Sequence, residues 1–248
     1  MAVAPGEEIY LSVVIPTYNE ERRIGDTLRS IADYFLRSGW AGEVVVADDG
    51  SSDRTLEVVR GTAPPESQVL TGDPSSHGKG GAVRRGLASA RGRYIVFTDA
   101  DLSTPIEEAD KLLRALAAGA DLAIGSRRLA TSEVGPRSPL RRLLGWGFSI
   151  LARTLVVPGI QDSQCGFKGY RREAARRLAS LQRVSGFSFD VEHLYLARRL
   201  GYRVEEIGVR WIDSPGTTIK LGRDSWRMLR DLLRIRVLHG DLTNRRAN

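Results

Sequence analysis

Three nearly unbroken apolar runs, each ending in a polar cluster, constrain this chain more than any other feature. They are "YLSVVIP" (10–16), "GEVVVADD" (42–49) and "RYIVFTD" (93–99). Between them lie stretches of helical periodicity: "EERRIGDTLRSIADYFLRSG", closed by Gly39, then "SDRTLEVVRG" and "GAVRRGLASARG", with a further strand near "SQVLTG". Strands that alternate with helices and are apolar at every position must be covered on both faces, which predicts an α/β fold: a mainly parallel sheet flanked by helices. In such sheets ligands bind beyond the carboxyl ends of the strands. Here those ends read "PTYNE", "DDGSSD" and "DADLSTP".

At 248 residues and 42% hydrophobic content, the chain can bury a substantial core. The pattern turns irregular and basic-amphipathic from about residue 137, giving an expected main domain over 1–212 and a basic amphipathic tail over 213–248. Cys165 is the single cysteine, so no intrachain disulfide forms, and a reducing compartment is expected. No stretch approaches the roughly 18 apolar residues that a membrane span needs. The net charge of +7 is unevenly spread: residues 127–177 supply +8 and residues 220–248 supply +5, leaving the remainder acidic. No basic helix-turn-helix, zinc-finger or aromatic RNA-binding signature accompanies it, which argues against a nucleic-acid partner.

Asp99 and Asp101, two apart at the end of a strand, are expected to point one way and converge. Converging carboxylates repel unless a cation sits between them, and Mg²⁺ or Mn²⁺ takes one or two carboxylates and completes its shell with phosphate oxygens. A competing local reading makes Thr104 an N-cap, Pro105 the first helical residue and Glu107 the partner in a capping box, but it leaves both aspartates unemployed. Thr17 and Tyr18 fall at the rim, where an aromatic ring beside polar groups can hold a flat base. Asp48 could accept the N–H of uracil or guanine, while Asp49-Gly50 reads as a turn and Ser51, Ser52 and Asp53 as caps. "HGKGGAVRRG" (77–86) matches neither a Walker A loop nor a dinucleotide fingerprint, yet a glycine-rich helix start with Lys79 suits a phosphate or sugar hydroxyl.

Taken in order, "PTYNE", "DDGSSD", "GKGGAV", "DADLS", "GSRR" (125–128) and "DSQCGFKGY" (162–170) resemble the family 2 inverting glycosyltransferases of the GT-A fold. Within them the chain is similar to the polyprenyl- and dolichyl-phosphate sugar synthases, and "QCGFK" followed by "GFSFDVE" (186–192) resembles the dolichyl-phosphate β-glucosyl branch more than the mannosyl one. The resemblance implies that Pro16, Thr17, Tyr18, Glu20 and Asp48 contact the nucleoside and that Lys79 approaches the base or ribose. It implies that Asp99 and Asp101, flanking Ala100, hold Mg²⁺ or Mn²⁺ on the diphosphate, and that Arg127 meets a phosphate. Gln164, Asp190 and Glu192 would stand on the acceptor side, with Gln164 also among the donor contacts and Asp190 where hydroxyl-directed members keep a base. Two departures stand out: Ser103 follows Asp101 at the spacing where relatives offer a better metal ligand, and the membrane helix usual in the glucosyl branch has no counterpart here.

These expectations amount to a hexosyl transfer from UDP-glucose, or alternatively GDP-mannose, to a polyprenyl phosphate, by a peripheral enzyme of the cytoplasmic membrane face. A transferase acting on a soluble hydroxyl, a nucleotidyltransferase and a non-catalytic binding protein are the alternatives. Residues 134–159 set Arg137, Arg141, Arg142 and Arg153 among leucines and aromatics, and Arg137 and Arg142 are the expected contacts for the acceptor's phosphate. In the tail, Trp226, Leu229, Leu233 and Val237 recur at helical spacing beside Arg223, Arg227, Arg230 and Arg234, the pattern of a helix lying on an anionic surface. No oligomeric state is implied.

Overall fold

The computed structural model describes residues 8–72, 77–135, 152–154, 156–213 and 223–241, with the backbone alone over 223–227. Its strands are β1 (Leu11–Thr17), β2 (Gly42–Asp48), β3 (Gln68–Leu70), β4 (Tyr94–Thr98), β5 (Leu122–Ser126), β6 (Glu133–Val134), β7 (Phe167–Arg171), β8 (Val204–Gly208) and β9 (Arg210–Trp211). The α-helices are α1 (Ile24–Ser38), α2 (Thr55–Thr62), α3 (Lys79–Ser89), α4 (Ala109–Ala117), α5 (Arg172–Leu181), α6 (Phe189–Arg199) and α7 (Arg223–Leu238). The main sheet has seven strands in the order β3-β2-β1-β4-β7-β5-β8. It is parallel except for β7, which runs antiparallel to both β4 and β5.

The unbroken apolar strands are explained by their two covered faces. In β1, Leu11, Val13 and Ile15 join Val44, Val46 and Val96 in the core under α1 and α4, while Val14 turns the other way to join Val45, Ile95 and Phe97 under α3, α5 and α6. The period of two assigns alternate residues to opposite cores, so a polar residue is tolerated only where it is paired, as Ser12 is with the buried Glu43 at 2.6 Å.

β7 is an element the sequence reading left irregular. Its run "FKGYR" is buried over its first four residues, although Lys168 stands in the middle of it. The basic residue hid a core strand, because its charge is met inside the fold as described below.

The tail helix is not detached. Leu232 and Ile235 of α7 are buried in a third core with Val156, Val157, Val191 and Leu194. The expected stripe is a different face: Leu233 is 59% exposed and Val237 81%.

Candidate functional site

Three loops meet at the carboxyl ends of β1, β2 and β4. The first two are laced together by side chains: Asn19, in a left-handed conformation (φ 55), accepts the Ser52 amide at 2.8 Å and donates its own N–H to Ser51 Oγ at 2.9 Å. The Glu20 amide bonds Thr55 Oγ1 at 2.7 Å, and the Glu21 amide bonds Asp53 Oδ2 at 3.2 Å. The polar residues after β1 therefore build a turn, and α1 begins only at Ile24. Pro16 is inside β1, beyond the last residue paired with β4, where its missing N–H costs no bond to that strand. Tyr18 stands 53% exposed at the rim, a ring available for stacking.

The two aspartates ending β2 have opposite duties. Asp48 is buried, with Oδ1 accepting Thr17 Oγ1 at 3.1 Å and Ser51 Oγ at 2.5 Å, and Oδ2 accepting the amides of Gly50 and Ser51 at 2.9 Å each. A carboxylate has about four lone-pair directions, and this geometry uses them all, so Asp48 clamps the loop. Asp49, expected to be only a turn residue, accepts the Gly78 amide on Oδ2 at 2.7 Å, while its Oδ1 is buried without a hydrogen-bond partner among the described residues. Arg85 and His77 lie 3.8 and 3.9 Å from that oxygen.

After β4 the chain turns. Asp99 and Asp101 flank this turn and are not placed by strand alternation. The turn is pinned by Thr27 Oγ1 of α1 donating to the Ala100 carbonyl at 2.7 Å and by Leu102 at φ 43. Asp101 Oδ1 accepts the Ser103 amide at 3.0 Å. The expected capping box does not form: a 3₁₀ turn over Ile106–Glu108 precedes α4 with no side-chain cap, and Glu107 pairs with Arg37 at 2.7 Å. Glu20, bound to Arg23 at 2.6 Å, is held above the usual carboxylate range chiefly by burial, with Asp101 and Asp99 adding to it. It therefore shares the field of the aspartate pair.

Lys79 belongs to the same cluster. Its Nζ lies 2.6 Å from Asp99 Oδ1 and 5.5 Å from the centre of the Phe97 ring. Opposite stands Gly166, where a Cβ would come within 2.2 Å of Asp99 Oδ2. Only glycine fits there, which explains the Gly of "QCGFK". Beyond it the buried Lys168 donates to Asp190 Oδ1 and to the Cys165 carbonyl, both at 2.5 Å. Burial raises Asp190 above its ordinary value, against the pull of Lys168 and Lys79.

Two expected contacts are spent elsewhere. Arg127 grips the buried Asp162 with Nε at 2.6 Å and Nη2 at 2.8 Å, and its amide adds a third bond at 3.0 Å. Burial would raise the Asp162 carboxyl, but Arg127 overrides it and holds it at about 2. The guanidinium expected to meet a phosphate thus braces the 162–166 segment. Glu192, expected on the acceptor side, is fully buried: Oε1 accepts the Arg183 amide at 2.8 Å and lies 2.7 Å from His239 Nε2, and Oε2 accepts the Val184 amide at 2.9 Å. It is corrected to a structural brace between α6, the loop before it and the end of α7. Arg137 and Arg142 lie outside the described residues.

Buried polar atoms without partners are rare in folded proteins and mark places that a ligand or ion completes. Three of them stand along this rim: Asp49 Oδ1, Ser163 Oγ and Gln164 Nε2. Asp49 and Ser163 were missed in the sequence, the first because turn chemistry explained it and the second because an isolated serine carries no signal. Asp99 Oδ1 has the Lys79 ammonium as its partner at 2.6 Å. An acceptor that already draws a cation, on a turn carrying a second carboxylate, fits a hard divalent ion. Among the described residues no group of three His, Cys, Asp or Glu could hold a metal by itself, so such an ion would draw further ligands from a diphosphate.

The sequence model described as glycosyl transferase family 2 matches residues 12–179. The chain is 37% identical to the dolichyl-phosphate beta-glucosyltransferase of Dictyostelium discoideum, over 94% of this chain and 75% of that protein. It is 37% identical to that of Homo sapiens, over 92% and 75%. Among solved structures, glucosyl-3-phosphoglycerate synthase from Mycobacterium tuberculosis, in complex with Mn²⁺, UDP-glucose and phosphoglyceric acid, superimposes with a TM-score of 0.72 at 22% identity, over 91% of this chain and 79% of that one. Mannosyl-3-phosphoglycerate synthase from Rubrobacter xylanophilus gives 0.71 at 20% identity, over 94% and 76%. At those identities the two structures speak for the fold.

Proposed function

The chain belongs to glycosyl transferase family 2 and is a glycosyltransferase, and on that premise we propose that it moves glucose from UDP-glucose, with inversion at C1, to the phosphate of a polyprenyl phosphate. The observation that carries the donor half is the row of partnerless polar atoms along the rim. Asp49 Oδ1 would accept the base N–H beside the Tyr18 ring, and Gln164 Nε2 would donate to the sugar or its phosphate. Asp99 and Asp101, with Glu20 in their field, would hold Mg²⁺ or Mn²⁺ on the diphosphate. When bound, that ion stabilises the charge that develops on the leaving oxygen. The acceptor half rests on the activity in the names of the relatives.

The state of Asp190 supports a phosphate acceptor. A hydroxyl must lose its proton during attack and needs a base to take it. Asp190 is buried and shares its Oδ1 with the Lys168 ammonium. A phosphate monoester, with a second pKa of about 6, is already largely ionised at neutral pH and attacks without a base. Arg137 and Arg142 are retained as its proposed contacts. Such an acceptor is found at a membrane surface. No described helix is long and apolar enough to cross a membrane, whereas the exposed face of α7, with Leu233 and Val237 among Arg230, Arg234 and Arg236, suits an anionic interface.

The test offers radiolabelled UDP-glucose or GDP-mannose, with Mn²⁺, to a short polyprenyl phosphate and to the corresponding alcohol. Transfer from UDP-glucose to the phosphate alone is expected. Equal transfer to the alcohol would refute the acceptor, and faster transfer from GDP-mannose would replace the donor.

A further inference from the structure

The place a divalent ion would take on Asp99 is already held by a side chain of the protein. One oxygen of Asp99, Oδ2, lies in the space left by the missing Cβ of Gly166. The open side of the carboxylate is Oδ1, and the Lys79 ammonium sits on it at 2.6 Å.

Lys79 is fixed at its root. Gly78, at φ 117, donates its amide to Asp49, and Gly80 packs so closely under 184–186 that a Cβ there would come within 2.8 Å of the Gly186 and Val184 carbonyls. The backbone of "GKGG" is therefore immobilised between two loops of the site, and the mobile part is the four-carbon side chain. Its contact with Asp99 is a charge-assisted pair, 2.6 Å from Nζ to Oδ1, made by the flexible end of the side chain. A Mg²⁺ or Mn²⁺ ion bound about 2.1 Å from that oxygen would repel an ammonium on the same atom.

We propose that Lys79 is a displaceable internal cation: it neutralises Asp99 in the donor-free enzyme, yields to the divalent ion, and turns its charge onto the diphosphate that arrives with it. Metal and donor then bind cooperatively, because each removes a cost the other would otherwise meet, and the coupling is reciprocal. This rests on the metal-dependent nucleotide-sugar reading above and goes further by giving Lys79 two stations, neither of them on the base.

The test measures Mn²⁺ affinity without donor, from the paramagnetic resonance of the free ion, for the wild type, Lys79→Met and Lys79→Gln; the second variant serves if the first does not fold. Tightening of at least tenfold in a folded variant is expected, with Mn²⁺ raising that variant's melting temperature more than the wild type's. Unchanged or weaker affinity overturns the proposal. A second arm compares UDP with uridine in the presence of Mn²⁺. Loss of affinity confined to UDP supports the move to the diphosphate, while equal loss for uridine puts Lys79 on the nucleoside and overturns it. If no protein binds Mn²⁺ even with UDP present, the metal-dependent reading itself fails.

Discussion

Asp48 and Asp49 are chemically identical neighbours, and the fold separates them by what it leaves each oxygen to do. Turn formation and base recognition ask for the same residue type, so the sequence alone does not divide these duties between them. The deciding fact is three-dimensional: the Thr17 and Ser51 hydroxyls and two loop amides converge on Asp48, and the glycine-rich start of α3 reaches only one oxygen of Asp49. Asp48→Asn should therefore lower stability by about 1–3 kcal/mol through lost acceptor capacity with a smaller effect on UDP affinity. Asp49→Asn should weaken UDP roughly tenfold or more, the worth of one hydrogen bond to a charged group, at nearly wild-type melting temperature. Asp101→Ala, by contrast, should cost turnover by orders of magnitude, since it acts on charge developing at the leaving group. Calorimetry with UDP, thermal melts and steady-state rates separate the three. A reversed order of the Asp48 and Asp49 effects on UDP would return the base contact to Asp48.

At the scale of elements, periodicity was a good guide to existence and a poor one to orientation. The strands of the first half were legible because both faces are buried and nearly every position is apolar, the paired Ser12 and Glu43 excepted. β7 was not, because Lys168 broke the pattern from inside the core, where Asp190 and the Cys165 carbonyl satisfy it. α7 carries two interleaved apolar series, of which the sequence reading named only the surface one: Leu232 and Ile235 hold the helix to the domain, leaving Leu233 and Val237 outside. That division makes the membrane reading testable without unfolding the helix. Leu233→Asp with Val237→Asp should sharply reduce co-sedimentation with anionic liposomes while each change alters stability by no more than about 0.5 kcal/mol. Ile235→Ala should cost about 2–5 kcal/mol as a core truncation. Undiminished liposome binding by the double aspartate variant would remove α7 as the contact.

For the whole molecule, the sheet and its ligand-bearing rim were legible from three strands and the polar clusters after them, while the ionic interior of the second half was not, because its partners are far apart in sequence. That interior sets how the fold responds to acid. His193 is fully buried; Gln182 gives both its recorded Nε2 bonds to carbonyls, of Gly80 and Val184, so its Oε1 accepts the His193 Nε2–H at 2.9 Å. The other ring nitrogen lies 3.3 Å from the Tyr170 hydroxyl, so a second proton would bring a charge into the core with no carboxylate directly against the ring. Burial accordingly pushes His193 down to about 4. The unfolded chain takes up this proton near pH 6.5 and the folded one does not, so the contribution of His193 is complete above about 6.5 and drains away as pH falls towards 4, by roughly 3 kcal/mol in all. Asp162 acts in a separate window. Held at about 2 by Arg127, it stabilises the fold above the ordinary aspartate value and loses roughly 2 kcal/mol as pH falls from about 4 to 2. Urea unfolding at intervals between pH 4 and 8 should show wild-type stability falling below 6.5. His193→Gln, which has no ring to protonate, should flatten that limb even if it lowers the plateau, and Asp162→Asn should lower the plateau and leave the slope. An unchanged slope in His193→Gln would show that the acid sensitivity of this window arises elsewhere in the protein.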